Sequence, residues 1–226
     1  IPPYFDEYET MNNKVPLHTF EIGISNINQN QNSVVHNILP GAYNNLTLKW
    51  NDTLRFSSGN YYFNNLTANE YAIKLQLDIS SGPIKIYSKG DIYFGDNLEV
   101  SVLPKGETEF IKIDDSFLGD EIKLNRAIEW SKQVYWESHN NFKIGNEKIF
   151  LGSILADKDI EIGWKKRLIG AYAVNEGKIT LGTEPIIIYA PPISGSSSGS
   201  GGVNDKGQNS ISSEYRITTS SPIREK

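Results

Sequence analysis

The sequence predicts an all-β protein, a parallel β-helix or solenoid-like domain with rungs of about 18 residues, one short helix and a tethered C-terminal β-strand. Three observations carry that expectation. Phe142-Lys143-Ile144-Gly145, Ile160-Glu161-Ile162-Gly163 and Ile179-Thr180-Leu181-Gly182 repeat one pattern, their glycines 18 and then 19 residues apart. A second column keeps step, because Leu151-Gly152-Ser153-Ile154 is followed 18 residues later by Ile169-Gly170-Ala171-Tyr172. Short alternating runs bounded by turn residues fill most of the remaining chain. Three short strands with tight turns use about this many residues, and equivalent positions then stack about 4.8 Å apart.

The elements follow in order. From His18 to Ile24, Phe20, Ile22 and Ile24 alternate with Thr19, Glu21 and Gly23, which reads as a half-buried strand. The polar stretch from Asn26 to Asn32 reads as a loop. A weaker copy of the period comes next: Gly41-Ala42-Tyr43 recurs as Gly59-Asn60-Tyr61 after 18 residues, and Asn44-Asn45-Leu46-Thr47 as Asn64-Asn65-Leu66-Thr67 after 20. Leu75 to Ile79, Ile84 to Tyr87, Asp91 to Gly95, Leu98 to Leu103 and Glu109 to Ile113 read as further strands. Between Asp120 and Tyr135, Leu124, Ile128, Ser131 and Tyr135 share a helical stripe, and Val134-Tyr135-Trp136 returns to strand.

After Pro191-Pro192 the composition turns to Gly and Ser, which has no side chains to bury. Ile211, Ser213, Tyr215 and Ile217 then alternate with Ser212, Glu214, Arg216 and Thr218. A lone strand is unstable in water, so this one must pair with a sheet edge in its own domain or in a neighbour. The expected organisation is a β-solenoid-like domain over 1–193, its first part (1–40) an N-terminal strand and loop region. A Gly/Ser-rich linker over 194–210 and a terminal strand and tail over 211–226 follow.

A chain of 226 residues with formal charge −5 suits one large β domain with an appendage. The longest basic run is Lys165-Lys166-Arg167, too little for a phosphate backbone, so no nucleic-acid partner is expected. The absence of cysteine excludes disulfides, thiolate metal sites and a cysteine nucleophile. No apolar run is long enough to span a bilayer, and the start, Ile1-Pro2-Pro3-Tyr4, suggests a processed mature form without a signal peptide. Asn45, Asn51 and Asn65 head Asn-x-Ser/Thr acceptors for N-glycosylation, which favours an extracellular or cell-surface location.

Catalytic chemistry is not apparent. His18, His36 and His139 have no ligand spacing. Gly195-Ser196-Ser197-Ser198-Gly199 matches the letters of a nucleophile elbow but lacks the strand-turn-helix context. The acidic groups Asp114-Asp115, Asp91 with Asp96 and Glu99, and Asp157 with Asp159 and Glu161 read as solvated turn charges rather than a calcium loop. An 18-residue step projects Asp159 and Glu161 onto Gly177 and Ile179, so no carboxylate ladder is expected. Lys165, Lys166 and Arg167 read as a solvated corner, with a polysaccharide contact as the alternative. Trp50, Tyr61, Tyr62, Tyr93, Trp130, Tyr135, Trp136 and Trp164 read mainly as core, or as sugar-stacking rings if several share an exposed face. No catalytic residue, metal or cofactor is assigned.

Residues 141–182, with their Ile-Gly, x-Gly-x-Ile-x-Ala and Asp-Ile-x-Ile-Gly steps, resemble the rungs of bacterial and archaeal β-helix surface or polymer-forming proteins, bactofilins and ice-binding-type adhesion domains. That resemblance implies a stable scaffold whose business is assembly or adhesion. Together these features lead to the expectation of a non-enzymatic, secreted structural protein. It would be a subunit of a pilus-like filament or surface layer that self-assembles into a homopolymer by donated strands, with Ile211, Tyr215 and Ile217 as assembly residues. The alternatives are a monomeric adhesin for polysaccharide, ice or a host surface and, behind it, a β-helical polysaccharide lyase or hydrolase.

Overall fold

The computed structural model describes residues 14–28, 31–68 and 70–190, and the backbone of residues 217–218. Strand β1 (Ile27–Asn28) precedes a series of three-sided rungs. The first comprises β2 (Val35–Ile38), β3 (Gly41–Ala42) and β4 (Asn45–Thr47). The second comprises β5 (Thr53–Ser57), β6 (Gly59–Phe63) and β7 (Asn65–Ala68), and the third β8 (Lys74–Asp78), β9 (Ile84–Ser88) and β10 (Ile92–Phe94). β11 (Glu99–Leu103) opens the fourth. An excursion then passes through β12 (Ile111–Ile113), a 3-10 turn (Asp115–Phe117) and helix α1 (Glu121–Ser131) before β13 (Val134–Ser138) and β14 (Phe142–Ile144) complete that rung. β15 (Ile149–Leu151), β16 (Ser153–Ala156) and β17 (Ile160–Ile162) make the fifth, and β18 (Arg167–Gly170), β19 (Tyr172–Val174) and β20 (Ile179–Leu181) the sixth. β21 (Ile186–Tyr189) begins a seventh.

Like strands stack in parallel, giving a parallel β-solenoid. The closing strands form the sheet β1-β4-β7-β10-β14-β17-β20 and the middle strands the sheet β3-β6-β9-β13-β16-β19. The opening face is shared by two sheets, one running from β2 to β11 with β12 antiparallel on its edge, the other beginning at β15. Alternation along each short strand sends one set of side chains inward. Leu46, Leu66, Ile92, Phe142 and Ile160 pair in register and are fully buried. At the centre, the Trp136 ring meets Phe94 and Phe150 at 5.4 Å and Phe142 at 6.4 Å.

The observed register corrects two expected alignments. Ile38 lies beside Phe56, 18 residues on, but Gly41 pairs with Tyr61 and Ala42 with Tyr62, because the second rung has two extra residues between its first and middle faces. The 20-residue spacing of Asn45 and Asn65 is therefore the true stacking distance. Likewise Glu161 stands beside Thr180, not Ile179, since the corner between β19 and β20 is one residue longer than that between β16 and β17.

The helix is shorter than the stripe suggested. Asp120 caps it, its Oδ1 accepting from Ile122 N at 3.0 Å and Lys123 N at 3.1 Å. Tyr135 lies beyond its end in β13, because the chain must be extended by Val134 to pair with Ile84. α1 packs on β15 and β18, where Ile149, Leu151 and Ile169 are buried. The N-terminal segment also departs from expectation. Residues 14–24 form no strand, and instead cross the outside of the middle face as a strap, with Val15 N on Asn175 Oδ1 at 2.9 Å and Gly23 N on Tyr43 O at 3.2 Å. Phe20 is buried against Tyr62, but Ile24 is 96% exposed, since a strap that crosses strands has no pleat to continue.

Lys166 is the costliest core residue. Hydrogen bonding places it in the column occupied on earlier rungs by Asp52 and Ile73, and it is fully buried rather than part of a solvated corner. Asp52 is anchored by His36 Nε2 at 3.2 Å and by the amides of Val34 and Lys49, whereas Lys166 Nζ has no hydrogen-bond partner. Burial pushes the Lys166 amine down to about 7, only partly opposed by Asp96.

A Cβ on Gly163 would lie 2.5 Å from Gly145 C, so Gly163→Ala forces adjacent rungs apart. It should cost about 2 kcal/mol in denaturant unfolding. For Lys166, the folded amine titrates near 7 and the unfolded one near its ordinary 10.5, so between those values the unfolded chain binds more protons and wild-type stability rises with pH. Lys166→Met should be more stable than wild type by a few kcal/mol at pH 7 and below. Its advantage should shrink as the pH approaches 10, as read by thermal melts across that range.

Candidate functional site: the open end of the solenoid

The inward columns of the closing face stay buried rung after rung until the last. Ile160 and Ile162 are buried, but their successors Ile179 and Leu181 are 37% and 39% exposed. They are exposed because β20 ends its sheet and β19 ends the middle one, so nothing described stacks beneath them. Only the opening face continues, through β21. On its outer edge lies β22 (Ile217–Thr218), antiparallel, with Ile188 beside Ile217 and Ile187 beside Thr218. A sheet otherwise built of parallel strands thus ends in an edge that takes an antiparallel strand from the tail. Of the expected assembly residues, Ile217 supplies backbone to this pairing, and Ile211 and Tyr215 lie outside the described residues. At the opposite end, Val35 and Leu39 of the first rung are exposed apolar residues.

The candidate glycosylation acceptors and several acidic residues also carry hydrogen bonds from rung to rung, which the letters alone do not reveal. Asn26 Oδ1 accepts from Asn45 N, Asn65 Oδ1 from Asp91 N, Asp91 Oδ1 from Asn141 N, Asn141 Oδ1 from Asp159 N, and Asp159 Oδ1 from Lys178 N. Asn65 Nδ2 donates to Asn45 Oδ1 at 3.1 Å. Asn45 and Asn65 are therefore members of a polar ladder before the closing face. Asn51 sits in a turn and donates to Ser33 Oγ at 2.9 Å. Asp91 and Asp159 thus serve backbone amides within a ladder of mixed Asn and Asp, which is distinct from a ladder of carboxylates.

Other acidic candidates are likewise held apart. Asp96 accepts from Asn146 N, and Glu99 pairs with Lys112 at 2.7 Å. Asp114 caps the 3-10 turn, and its hydrogen bonds from Ser116 hold its carboxyl below the usual range. Asp115 lies 3.1 Å from Arg167 Nε, within ion-pair range but without hydrogen-bond alignment. Among the described residues no three of His, Asp and Glu come together as metal ligands.

One buried polar cluster does form, under the strap. Glu137 Oε1 accepts from His18 N at 2.6 Å and lies 3.0 Å from His139 Nε2, and Oε2 accepts from Tyr135 OH at 2.8 Å. Burial, then the neighbouring Glu137 charge, pushes the Tyr135 and Tyr87 hydroxyls far above their ordinary value. Both carboxylate oxygens are committed, so the cluster acts as a latch for the strap. Lys14 of the strap and Lys158 also pair with Glu176, holding its carboxyl down to about 2.

Among the aromatic candidates, Tyr61, Trp130, Tyr135 and Trp136 are buried, Tyr62 and Tyr93 are half-buried, and Trp50 and Trp164 are exposed. No helix among the described residues is long and apolar enough to cross a membrane.

No curated protein and no solved structure matches this chain, and nothing in the comparisons supports membership of the bactofilins or of the ice-binding families. A family model does match, over residues 18–189, taking in the strap and the rungs from β1 to β21. The chain belongs to that family, described as a domain of unknown function (DUF7305).

Proposed function

We propose that this chain is a non-enzymatic, extracellular structural protein that forms a filament or surface layer by β-strand addition at the open end of its solenoid. The observation that carries the reading is the antiparallel seating of Ile217–Thr218 on β21, beside two bare strand edges and the uncovered Ile179 and Leu181. Main-chain hydrogen bonds of this kind do not distinguish a strand of the same chain from one of a second copy. Residues 190–216 join the two strands, a contour ample to span a neighbouring subunit. Donation from one copy to the next is heterologous, and a heterologous contact that does not close into a ring propagates as a fibre.

The absence of an enzymatic role in this proposal is supported by what the polar groups are doing. Ladder residues serve backbone amides, and the Glu137 cluster holds the strap. An extracellular setting is supported by the Asn-x-Ser/Thr acceptors at Asn45, Asn51 and Asn65.

Negative-stain electron microscopy with analytical sedimentation should find filaments of the full chain and monomers of a version ending at Pro192. Monomers in both samples, or filaments in both, would remove the donated strand from the explanation.

A further inference from the structure

We infer that the corner between the closing and opening faces is a binding ridge for an extended polysaccharide. The corner peptides stack without interruption: Ser33 N donates to Trp50 O, Asn51 N to Tyr71 O, Ala72 N to Asp96 O, Asn97 N to Asn146 O, Glu147 N to Trp164 O, and Lys165 N to Thr183 O. Asn32, Trp50, Tyr71, Asp96, Asn146, Trp164 and Thr183 therefore form one column along the flank of the solenoid. The residue after each of them has a left-handed backbone, with φ of 62° at Ser33, 58° at Asn51, 61° at Ala72, 54° at Asn97, 57° at Glu147, 50° at Lys165 and 56° at Glu184. None is glycine, so the same turn is imposed at every rung and points each preceding side chain outward from the same edge.

Three of the seven column residues are aromatic and all three are exposed, Trp50 at 49%, Tyr71 at 55% and Trp164 at 40%. Every other exposed large hydrophobic residue among those described is aliphatic and lies elsewhere: on the strap, at an end of the solenoid or on α1. Core packing thus accounts for none of these rings. Trp50 and Tyr71 are one rung apart, about 4.8 Å, and Tyr71 and Trp164 three rungs apart, roughly 14 Å. Between them the column is polar and fixed, with Asp96 Oδ1 bonded to Asn146 N and Asn146 Oδ1 bonded to Trp164 N, both at 2.8 Å. Lys165 Nζ stands 4.3 Å from the centre of the Trp164 ring.

Aromatic faces with amide, carboxylate and ammonium groups between them match a sugar chain, whose rings offer an apolar C–H face and a rim of hydroxyls. A straight ridge, rather than an enclosed pocket, suits an extended polymer lying along the solenoid axis. A peptide added as a strand is disfavoured, because the corner amides and carbonyls are already engaged from rung to rung. Asp96 and Glu147 beside Lys165 make the charge mixed, which disfavours a nucleic-acid backbone. The ridge runs along the side of the solenoid and stands independently of the proposed assembly.

The test is isothermal titration of the full chain with hexamers of β-1,4-glucose, β-1,4-N-acetylglucosamine and α-1,4-galacturonate. At least one should bind. Tyr71→Ala and Trp164→Ala should each weaken that binding about tenfold, and the triple variant with Trp50→Ala should abolish it. The melting temperature should be unchanged, because the rings are exposed. Ile122→Ala, on the exposed side of α1, should bind like wild type. Failure of all three hexamers to bind, or a triple variant that binds as well as wild type, would overturn the assignment.

Discussion

Everything in this solenoid depends on carrying hydrogen bonds along the axis through the corners as well as the strands. Strands of two to five residues supply too few ladder bonds to hold a rung alone, so the corners must be satisfied too. One corner does this with side chains, passing from Asn26 and Asn45 through Asn65, Asp91, Asn141 and Asp159 to the Lys178 amide. The next does it with backbone, each left-handed residue donating to the carbonyl one rung on. Where backbones come closest, a glycine is required, which is why Gly145, Gly163 and Gly182 recur.

That same continuity makes the ends special. A rung in mid-stack has partners on both sides, so Phe142 and Ile160 are buried without any help from the turns around them. The last rung has the same sequence pattern and half the partners, leaving Ile179 and Leu181 partly in water. Closed barrels abolish edges and most open sheets blunt them with charge, proline or a covering segment. Here the covering segment is the strand at Ile217–Thr218, tied to the chain it covers. A cap of this kind is also a contact that can be offered elsewhere, and the filament proposal rests on that equivalence.

The repeat was legible because the residues that set it are few and chemically distinctive: glycine at the close approach, and isoleucine or phenylalanine on either side of an outward residue. The strands from Leu75 to Ile113 were equally readable from alternation. Less legible were features that depend on counting residues in corners. Gly41 aligns with Gly59 by letter but with Tyr61 in space, since two added residues shift the middle face without disturbing the others. The strap is illegible for a related reason. Phe20 and Ile22 alternate as a strand would, but alternation reports burial on one side and not the identity of the partner, and the partner is a sheet crossed at an angle. Lys166 reads as one of three solvated cations, and its burial is not legible even from its column, where Lys148 of the preceding rung is exposed. Tyr71 escaped notice because a single tyrosine carries no signal until rung register sets it beside Trp50.

The coverings explain which surfaces remain. α1 lies over the lower opening face and the strap over the middle face, both sealing apolar side chains that a bare sheet would expose. The closing face needs no cover, because each of its short strands sends a single mid-strand side chain outward, such as Tyr93, Lys143 or Glu161, and these are mostly polar. Lys143 lies 5.3 Å from the Tyr93 ring and 3.1 Å from Glu161, so neighbouring rungs neutralise one another across that face. The aromatic corner is the exception to this economy. It borders the bare face, is covered by neither α1 nor the strap, and keeps two tryptophans and a tyrosine in water where asparagine or aspartate serves the same turn on the rungs between. Since the backbone there accepts polar residues equally well, the aromatic side chains at those rungs call for a cause outside the fold.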